Sequence, residues 1–464
     1  MDQLTPFLPH LRCQCAPMGT QTARARTAAD SIVGLAGLFS GFFPGLLVPA
    51  RTGAGSRQRD LPRCEVFWAF LAQVLLRGAS CRWALTRLQA SAIAQGRRAP
   101  RDSTSAYCQA RRALSLQWLQ ALFAALGRWF EPRTTGSWQG RTVRVIDGTG
   151  FSMPDTSANR RHWPYAGRQK PGCGFPTGKL VGLFCLHSGR LISFFTDSWK
   201  AGDLTLARPL LKALRAGQVL LGDRAYCSWH FLVLLRRRKV DFVIRLHQAR
   251  VLNSRSLSSW WEGWAKGQRR PGLSQNSWEK LPSELLVRLV RFRIQARGFR
   301  PKSVIVATSL LDETAFPDSA IQELYLRRWQ IELHYRQIKI SLCLDVLRGL
   351  TPAVIERELW MHAIAYNLIR ALMLEAGISH GVPVERLSFK GTIDALQAWA
   401  DHALSRSRFR RQARLLLLAR IASDLVPFRP GRSEPRAKKR RPKCFNLLNR
   451  PRHLMRVAAS RRLR

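Results

Sequence analysis

Between residues 138 and 246 the chain alternates strand-like and helical runs in an order that few folds can accommodate. Three β-rich segments come first, "RTVRVID", "KLVGLFCLHSG" and "RLISFFTDSW", dense in Val, Ile, Leu and Phe and bounded by turn residues. A helical stretch "LTLARPLLKALRAG" follows, then a strand "QVLLGD", an apolar helix "SWHFLVLLRRRK" and another strand "VDFVIRL". Three antiparallel strands extended by strand and helix additions build a mixed sheet covered by helices.

That order fits an α/β fold of the RNase H-like kind, in which the first and fourth strands are neighbours. The pattern sets Asp147 at the end of "TVRVI" and Asp223 at the end of "QVLLG". The two carboxylates are therefore expected side by side although far apart in sequence. Taken singly, each has a plainer use, Asp147 shaping a turn with Gly148, Thr149 and Gly150 and Asp223 capping the following helix. Such a fold still needs a final helix, and residues 248–302 delay it. This segment is rich in Ser, Gly, Arg and Trp, including Trp260, Trp261, Trp264 and Trp278, and it reads as a β-rich insertion.

The final helix arrives as "YLRRWQIELHYRQIK", residues 325–339. At about 100° per residue, Tyr325, Arg328, Glu332 and Lys339 fall within an arc of about 60°. Trp329, Leu333 and Ile340 flank this polar stripe on one side, and Leu324, Ile331, Tyr335 and Ile338 on the other. Arg327, Gln330, His334 and Gln337 make the opposite face. The pattern predicts a charged seam turned inward and a polar back turned out, the reverse of a simple core helix. An exposed helix with an Arg328–Glu332 salt bridge is the alternative from this segment alone.

Three converging carboxylates raise one another's pKa unless cations neutralise them. Hard oxygen ligands suit Mg²⁺ or Mn²⁺. Two such ions about 4 Å apart serve in-line phosphodiester displacement, with a water or a 3′-hydroxyl as nucleophile. Charge supports a polyanionic partner: 76 Lys plus Arg against 29 Asp plus Glu give a net +47 over 464 residues. Such an excess repels itself in a compact fold unless nucleic acid neutralises it. Anionic membrane ranks below nucleic acid, because the basic residues are dispersed and not gathered on one amphipathic helix. The apolar run 32–49 is interrupted by Gly34, Gly37, Gly41, Pro44 and Gly45, which argues against a membrane span. Ten cysteines without CxxC pairs read as reduced thiols of a cytosolic protein.

The expected organisation is a leader at 1–30, a helical DNA-binding domain at 31–137, the catalytic domain at 138–376 with its insertion, and a helical C-terminal region at 377–464. The first domain carries three amphipathic stretches, "VFWAFLAQVLL", "CRWALTRLQASAIAQ" and "STSAYCQARRALSLQWLQALFAALGRWF", the third with Ser103 or Thr104 as N-cap. Arg111 and Arg112 are its candidates for phosphate contact. The last region contains "EPRAKKRRPK", whose Lys438, Lys439, Arg440 and Arg441 form a basic tail suited to DNA.

On these residues the chain resembles bacterial insertion-sequence transposases of the DDE type, in particular the family with the Y-x2-R-x3-E-x6-K pattern. Tyr325, Arg328, Glu332 and Lys339 match it at every spacing. "VIDGTGFSMPDT" is similar to that family's first aspartate segment and "LLGDRAY" to its second, and the likeness runs over roughly residues 31–450. The resemblance implies a bacterial, nucleoid-associated cut-and-paste enzyme that binds the terminal inverted repeats of its own element, joins them to target DNA and works as a dimer. It implies Asp147, Asp223 and Glu332 as holders of two Mg²⁺ or Mn²⁺ ions, and Tyr325, Arg328 and Lys339 as contacts to phosphates near the cleaved end. It also implies a hairpin intermediate, with one insertion tryptophan stacking on an extruded base. A structure-selective nuclease without strand transfer and an inactive DNA-binding relic are the rival functions.

Overall fold

The computed structural model describes residues 32–46, 61–134, 136–165, 172–247, 258–268, 274–294, 302–401, 410–427, 451 and 453–455. The leader and the basic residues Lys438, Lys439, Arg440 and Arg441 lie outside the described residues. The chain divides into two units, one of Met1–Trp129, Leu359–Val382 and Leu387–Leu425 and the other of Phe130–Glu358, Pro383–Arg386 and Val426–Arg464.

The first unit begins with α1 (32–39), α2 (Arg63–Leu75), α3 (Cys81–Ala94), α4 (Thr104–Ala113) and α5 (Leu116–Phe130). Every residue of α2 from Val66 to Leu75 is buried, so this helix is the unit's central rod. Ser80 caps α3 by accepting from the Trp83 amide at 3.1 Å. The third expected helix is two: Leu114 turns extended (ψ 124°) and Ser115 Oγ accepts from the Trp118 amide at 3.4 Å to begin α5. Arg111 is not a phosphate contact here. It is buried, donates to Gln73 Oε1 at 3.2 Å and stacks 3.9 Å from the Phe70 ring centroid.

The second unit is built on β1 (Val143–Ser152), α6 (Ser157–His162), β2 (Thr177–Cys185), β3 (Leu191–Ser198), α7 (Asp203–Leu210), β4 (Val219–Gly222), α8 (Trp229–Arg237) and β5 (Asp241–Arg245). Then come β6 (Ser259–Ala265), α9 (Gln275–Glu279), β7 (Glu284–Ile294), β8 (Lys302–Thr308), α10 (Asp318–Arg327) and α11 (Gln330–Arg336). The strands form one mixed sheet of order β3-β2-β1-β4-β5-β8-β7-β6. β1, β2 and β3 are antiparallel, and β4 and β5 add to β1 in parallel. The first and fourth strands are thus neighbours, as the strand order requires. All four residues of β4 are buried, the continuous apolar run expected of an interior parallel strand.

The tryptophan-rich segment does not stand apart from this sheet. β8 pairs with β5 and β7 with β8, so the segment's strands extend the sheet beyond β5. Trp260 and Trp264 are buried in the apolar cluster that also holds Leu220, Phe231, Phe242 and Leu289, with Trp278 packed against it. Of the four tryptophans only Trp261 is exposed, its indole N–H donating to the Leu311 carbonyl at 3.1 Å.

After α11 a π turn (Gln337–Ser341) precedes α12 (Pro352–His380), α13 (Phe389–Asp401) and α14 (Arg410–Ser423). From Leu359 onward α12 belongs to the first unit, where Ile364, Tyr366, Leu368 and Ile369 are fully buried. Arg414 of α14 clamps Glu375 of α12 with Nη2 at 2.7 and 2.9 Å from its two oxygens. Among the described residues no helix is long and apolar enough to cross a membrane. No disulfide joins the cysteines among them.

Candidate active site

β1 and β4 pair in parallel through Val143 with Val219, Arg144 with Leu220 and Val145 with Leu221. The pairing ends there, but its register points Asp147 and Asp223, each two residues further along, toward one another, and the charge of Asp223 acts on Asp147. Asp147 is not at a strand end, however. β1 continues to Ser152 in its pairing with β2, and only the pairing with β4 stops short of the aspartate. The glycines after Asp147 make room and do not turn the chain. A Cβ on Gly148 would stand 3.3 Å from Asp203 Oδ1, and one on Gly150 2.9 Å from the Trp199 ring. Each aspartate is oriented by a nearby amide: Gly148 N–H donates to Asp147 Oδ1 and Ala225 N–H to Asp223 Oδ1, both at 2.8 Å. Asp223 is thereby the N-cap of a 3₁₀ turn, Arg224–Tyr226.

The third acid comes on an interrupted helix. The backbone at Arg328, Trp329, Ile331 and Glu332 bonds to the carbonyl three residues back, at 3.0–3.3 Å, so the chain tightens between α10 and α11. It then loosens into the π turn that carries Lys339. The expected regular helix over 325–339 is therefore three pieces, and a constant 100° per residue misplaces its faces. Tyr325, Ile331, Tyr335 and Ile338 are buried as expected, but His334 is buried too, its ring stacked 5.6 Å from that of Phe184. Trp329, Leu333 and Ile340 face solvent. The charged seam runs along the rim: the Arg328 side chain is 10% exposed and that of Glu332 is 66% exposed.

Arg328 stands between the acids, with Nη1 3.9 Å from Asp147 Oδ2 and Nη2 3.9 Å from Glu332 Oε1. Its Nε is buried without a hydrogen-bond partner. Burial raises the Asp147 pKa to about 6; the Gly148 amide and Arg328 work against this, and the fields of Asp223 and Glu332 add to it. Burial also raises the Tyr325 hydroxyl, against the pull of Arg328 and Arg245 and with a contribution from Asp223. Asp147, Asp223, Tyr325, Arg328 and Glu332 thus form one electrostatic neighbourhood. Lys339 lies half-buried in the π turn, seven residues beyond Glu332.

The convergence is less complete than expected. Among the described residues no three His, Cys, Asp or Glu side chains are grouped closely enough to hold one metal ion. Unneutralised carboxylates repel, and the Arg328 guanidinium occupies the position between Asp147 and Glu332. The donor set nonetheless suits a hard divalent cation. Asp147 and Asp223 each have one oxygen tied to an amide and another beyond it, Asp147 is ionised only against its burial, and Glu332 has the exposure to swing.

Two residues that the sequence pattern passed over set this geometry. Tyr335, legible only as an apolar flank, places its hydroxyl 2.5 Å from the Asp147 carbonyl and 2.9 Å from the Gly182 amide. A glycine inside a strand signals such a close approach, and a Cβ at Gly182 would lie 2.9 Å from that hydroxyl. Arg288 of β7, fully buried, donates to the Phe316 carbonyl at 2.7 Å and to the Asp318 carboxylate, pinning the start of α10 to the sheet.

The chain is similar to known proteins. The family model for the transposase DDE domain matches residues 138–368. The transposase InsG for insertion sequence element IS4 of Escherichia coli K12 is 28% identical over 325 residues, covering 69% of this chain and 71% of that one. The transposase for insertion sequence element IS231F of Bacillus thuringiensis subsp. israelensis is 24% identical over 278 residues, covering 51% and 57%. The piggyBac transposase synaptic complex with hairpin DNA superposes with a TM-score of 0.45 at 11% identity over 90% of this chain and 88% of that one. A DDE domain spanning both aspartates and the glutamate, together with the two insertion-sequence relatives, makes the chain a member of the DDE transposases of bacterial insertion sequences.

Proposed function

We propose that this transposase moves its own element by cut-and-paste: it binds the element's terminal inverted repeats, cleaves them and joins the freed 3′-hydroxyls to target DNA. The reading rests above all on one observation, the shared electrostatic neighbourhood in which Asp147 feels Asp223 and Glu332 while Arg328 lies 3.9 Å from both Asp147 and Glu332. The strand order of β1 to β5, with β1 central, supports an RNase H-like core. In this reading Asp147, Asp223 and Glu332 hold two divalent ions, Mg²⁺ or Mn²⁺, which supply activation of the attacking oxygen and charge stabilisation of the leaving one.

The chain's own residues do the rest. Asp147 and Asp223 present preset carboxylate oxygens, because backbone amides fix their orientation. Glu332 closes onto the site from the rim. Arg328, 3.9 Å from an oxygen of each of Asp147 and Glu332, would then present its guanidinium to a phosphate beside the reacting bond, as a planar fork suited to phosphate oxygens. Tyr325 and Lys339 take flanking phosphates. The helical first unit and the basic cluster at 438–441 carry the duplex, two chains act together on two ends, and the enzyme works in the bacterial cytoplasm. Trp261 is the one insertion tryptophan exposed for stacking on an extruded base.

The test combines purified protein, a duplex carrying the inverted repeat with its flank, Mg²⁺ and a plasmid target. Metal-dependent nicking, hairpin ends and joined products are the expected result. Nicks without hairpins or joining would make the protein a structure-selective nuclease, and binding without cleavage a relic.

A further inference from the structure

The β1–β2 ladder pairs Asp147 with Gly182, and the Tyr335 hydroxyl lies across that pair. It accepts from the Gly182 N–H at 2.9 Å and donates to the Asp147 carbonyl at 2.5 Å. Its ring is buried and meets Phe184 edge-on at 5.3 Å between centroids. Tyr335 lies three residues after Glu332, less than one turn along the same short helix. A single hydroxyl therefore ties the backbone of one proposed ligand to the helix bearing another.

We propose that Tyr335 is a positioning residue that sets the separation of Asp147 and Glu332 and so tunes the affinity of the site for its divalent cation. The inference rests on the reading of those two acids as cation ligands. Four features of the site carry it. Packing of Ile331 and of His334 on Phe184 seats the helix against the sheet, whereas Arg288 pins α10 at its far end and Arg328 reaches Asp147 and Glu332 only at 3.9 Å. The segment between α10 and α11 is irregular, and a π turn follows, so regular helix geometry does not by itself fix where Glu332 sits. The hydroxyl grips the main chain of Asp147 and not its carboxylate, which leaves both carboxylate oxygens to the amide of Gly148 and to the site. The strand residue opposite Asp147 is a glycine, and any side chain there would collide with the hydroxyl at 2.9 Å and with the Phe184 ring at 2.8 Å.

Tyr335→Phe removes both hydrogen bonds while keeping the ring. Cleavage of the inverted-repeat duplex is measured against Mg²⁺ concentration, beside the affinity for that duplex and the thermal midpoint. The half-saturating Mg²⁺ concentration should rise about tenfold or more, the usual consequence of losing a group that orients a ligand. The rate at saturating Mg²⁺ and the DNA affinity should stay near wild type, and Mn²⁺, which binds oxygen ligands more tightly, should restore cleavage at lower concentration than Mg²⁺. An unchanged Mg²⁺ requirement overturns the inference, as does a loss of rate that follows a fall in thermal midpoint or DNA affinity and leaves the Mg²⁺ requirement where it was. Asp147→Asn and Glu332→Gln are run in parallel. If either of them still cleaves, the assignment of the acids fails first; if both are dead and Tyr335→Phe shows no shift, only the role of Tyr335 fails.

Discussion

The two halves of the candidate site are built to different standards of rigidity. Asp147 lies within β1 and Asp223 directly after the adjacent parallel strand β4, their side chains held by amides at 2.8 Å, and Asp147 is ionised in a setting that resists its charge. Glu332 sits on a seven-residue helix between a tightened turn and a π turn, with its side chain two-thirds exposed. The sheet presets geometry, whereas the helix supplies the adjustable member. A site that must take up cations and a DNA end gains from one such member, because preset carboxylates alone would repel at close range.

The contrast breaks most sharply in cleavage. Asp147→Asn, Asp223→Asn and Glu332→Gln should each cut the rate by on the order of a thousandfold, about 4 kcal/mol of barrier, while duplex binding persists. If all three acids serve one reaction, as proposed, the losses from both halves are equal; a mild effect at Glu332 would leave the sheet pair working without the helix.

Stability should separate the halves in the opposite way. The Asp147 pKa is about 6 in the folded protein against an ordinary aspartate value of 3.8, so its favourable contribution is present below about pH 4 and is lost as the pH rises through 6. At pH 8 the buried charge costs about 3 kcal/mol. Asp147→Asn should therefore raise the denaturation midpoint at pH 8 and give no such gain near pH 4, whereas Glu332→Gln should change stability by only about 0.5 kcal/mol at either pH. Chemical denaturation at the two pH values checks both. Identical behaviour of the two variants would erase the distinction between a buried and a rim carboxylate.

The smallest effect belongs to the π turn. If Lys339 meets one phosphate, Lys339→Ala should lower the salt slope of DNA binding by about one unit, with cleavage of saturated complexes little altered. An unchanged slope removes that contact.

Much of the sheet half could be read from residues alone, because strand order and apolar runs report topology directly. Asp223 behind "QVLLG" is where that reading put it, and its neighbourhood with Asp147 follows from the β1–β4 pairing. The true extent of β1 was hidden: Gly148 and Gly150 look like a turn, yet they are strand glycines that admit Asp203 and Trp199. The helix half was legible in composition but not in geometry. Periodicity assumes one pitch, and a tight turn followed by a wide one moved His334 into the core and left Leu333 outside. Arg111 and Arg288 show the same limit for charge, since burial against Phe70 and Gln73, or against Asp318, depends on partners distant in sequence.

The central claim is that acids from both halves close on shared cations. Mn²⁺ binding to the complex of protein with an inverted-repeat end, followed by electron paramagnetic resonance, tests it directly. The account predicts saturable high-affinity binding above pH 6 that Asp147→Asn, Asp223→Asn and Glu332→Gln each weaken strongly. Full binding retained in Glu332→Gln, or in either aspartate variant, would contradict it.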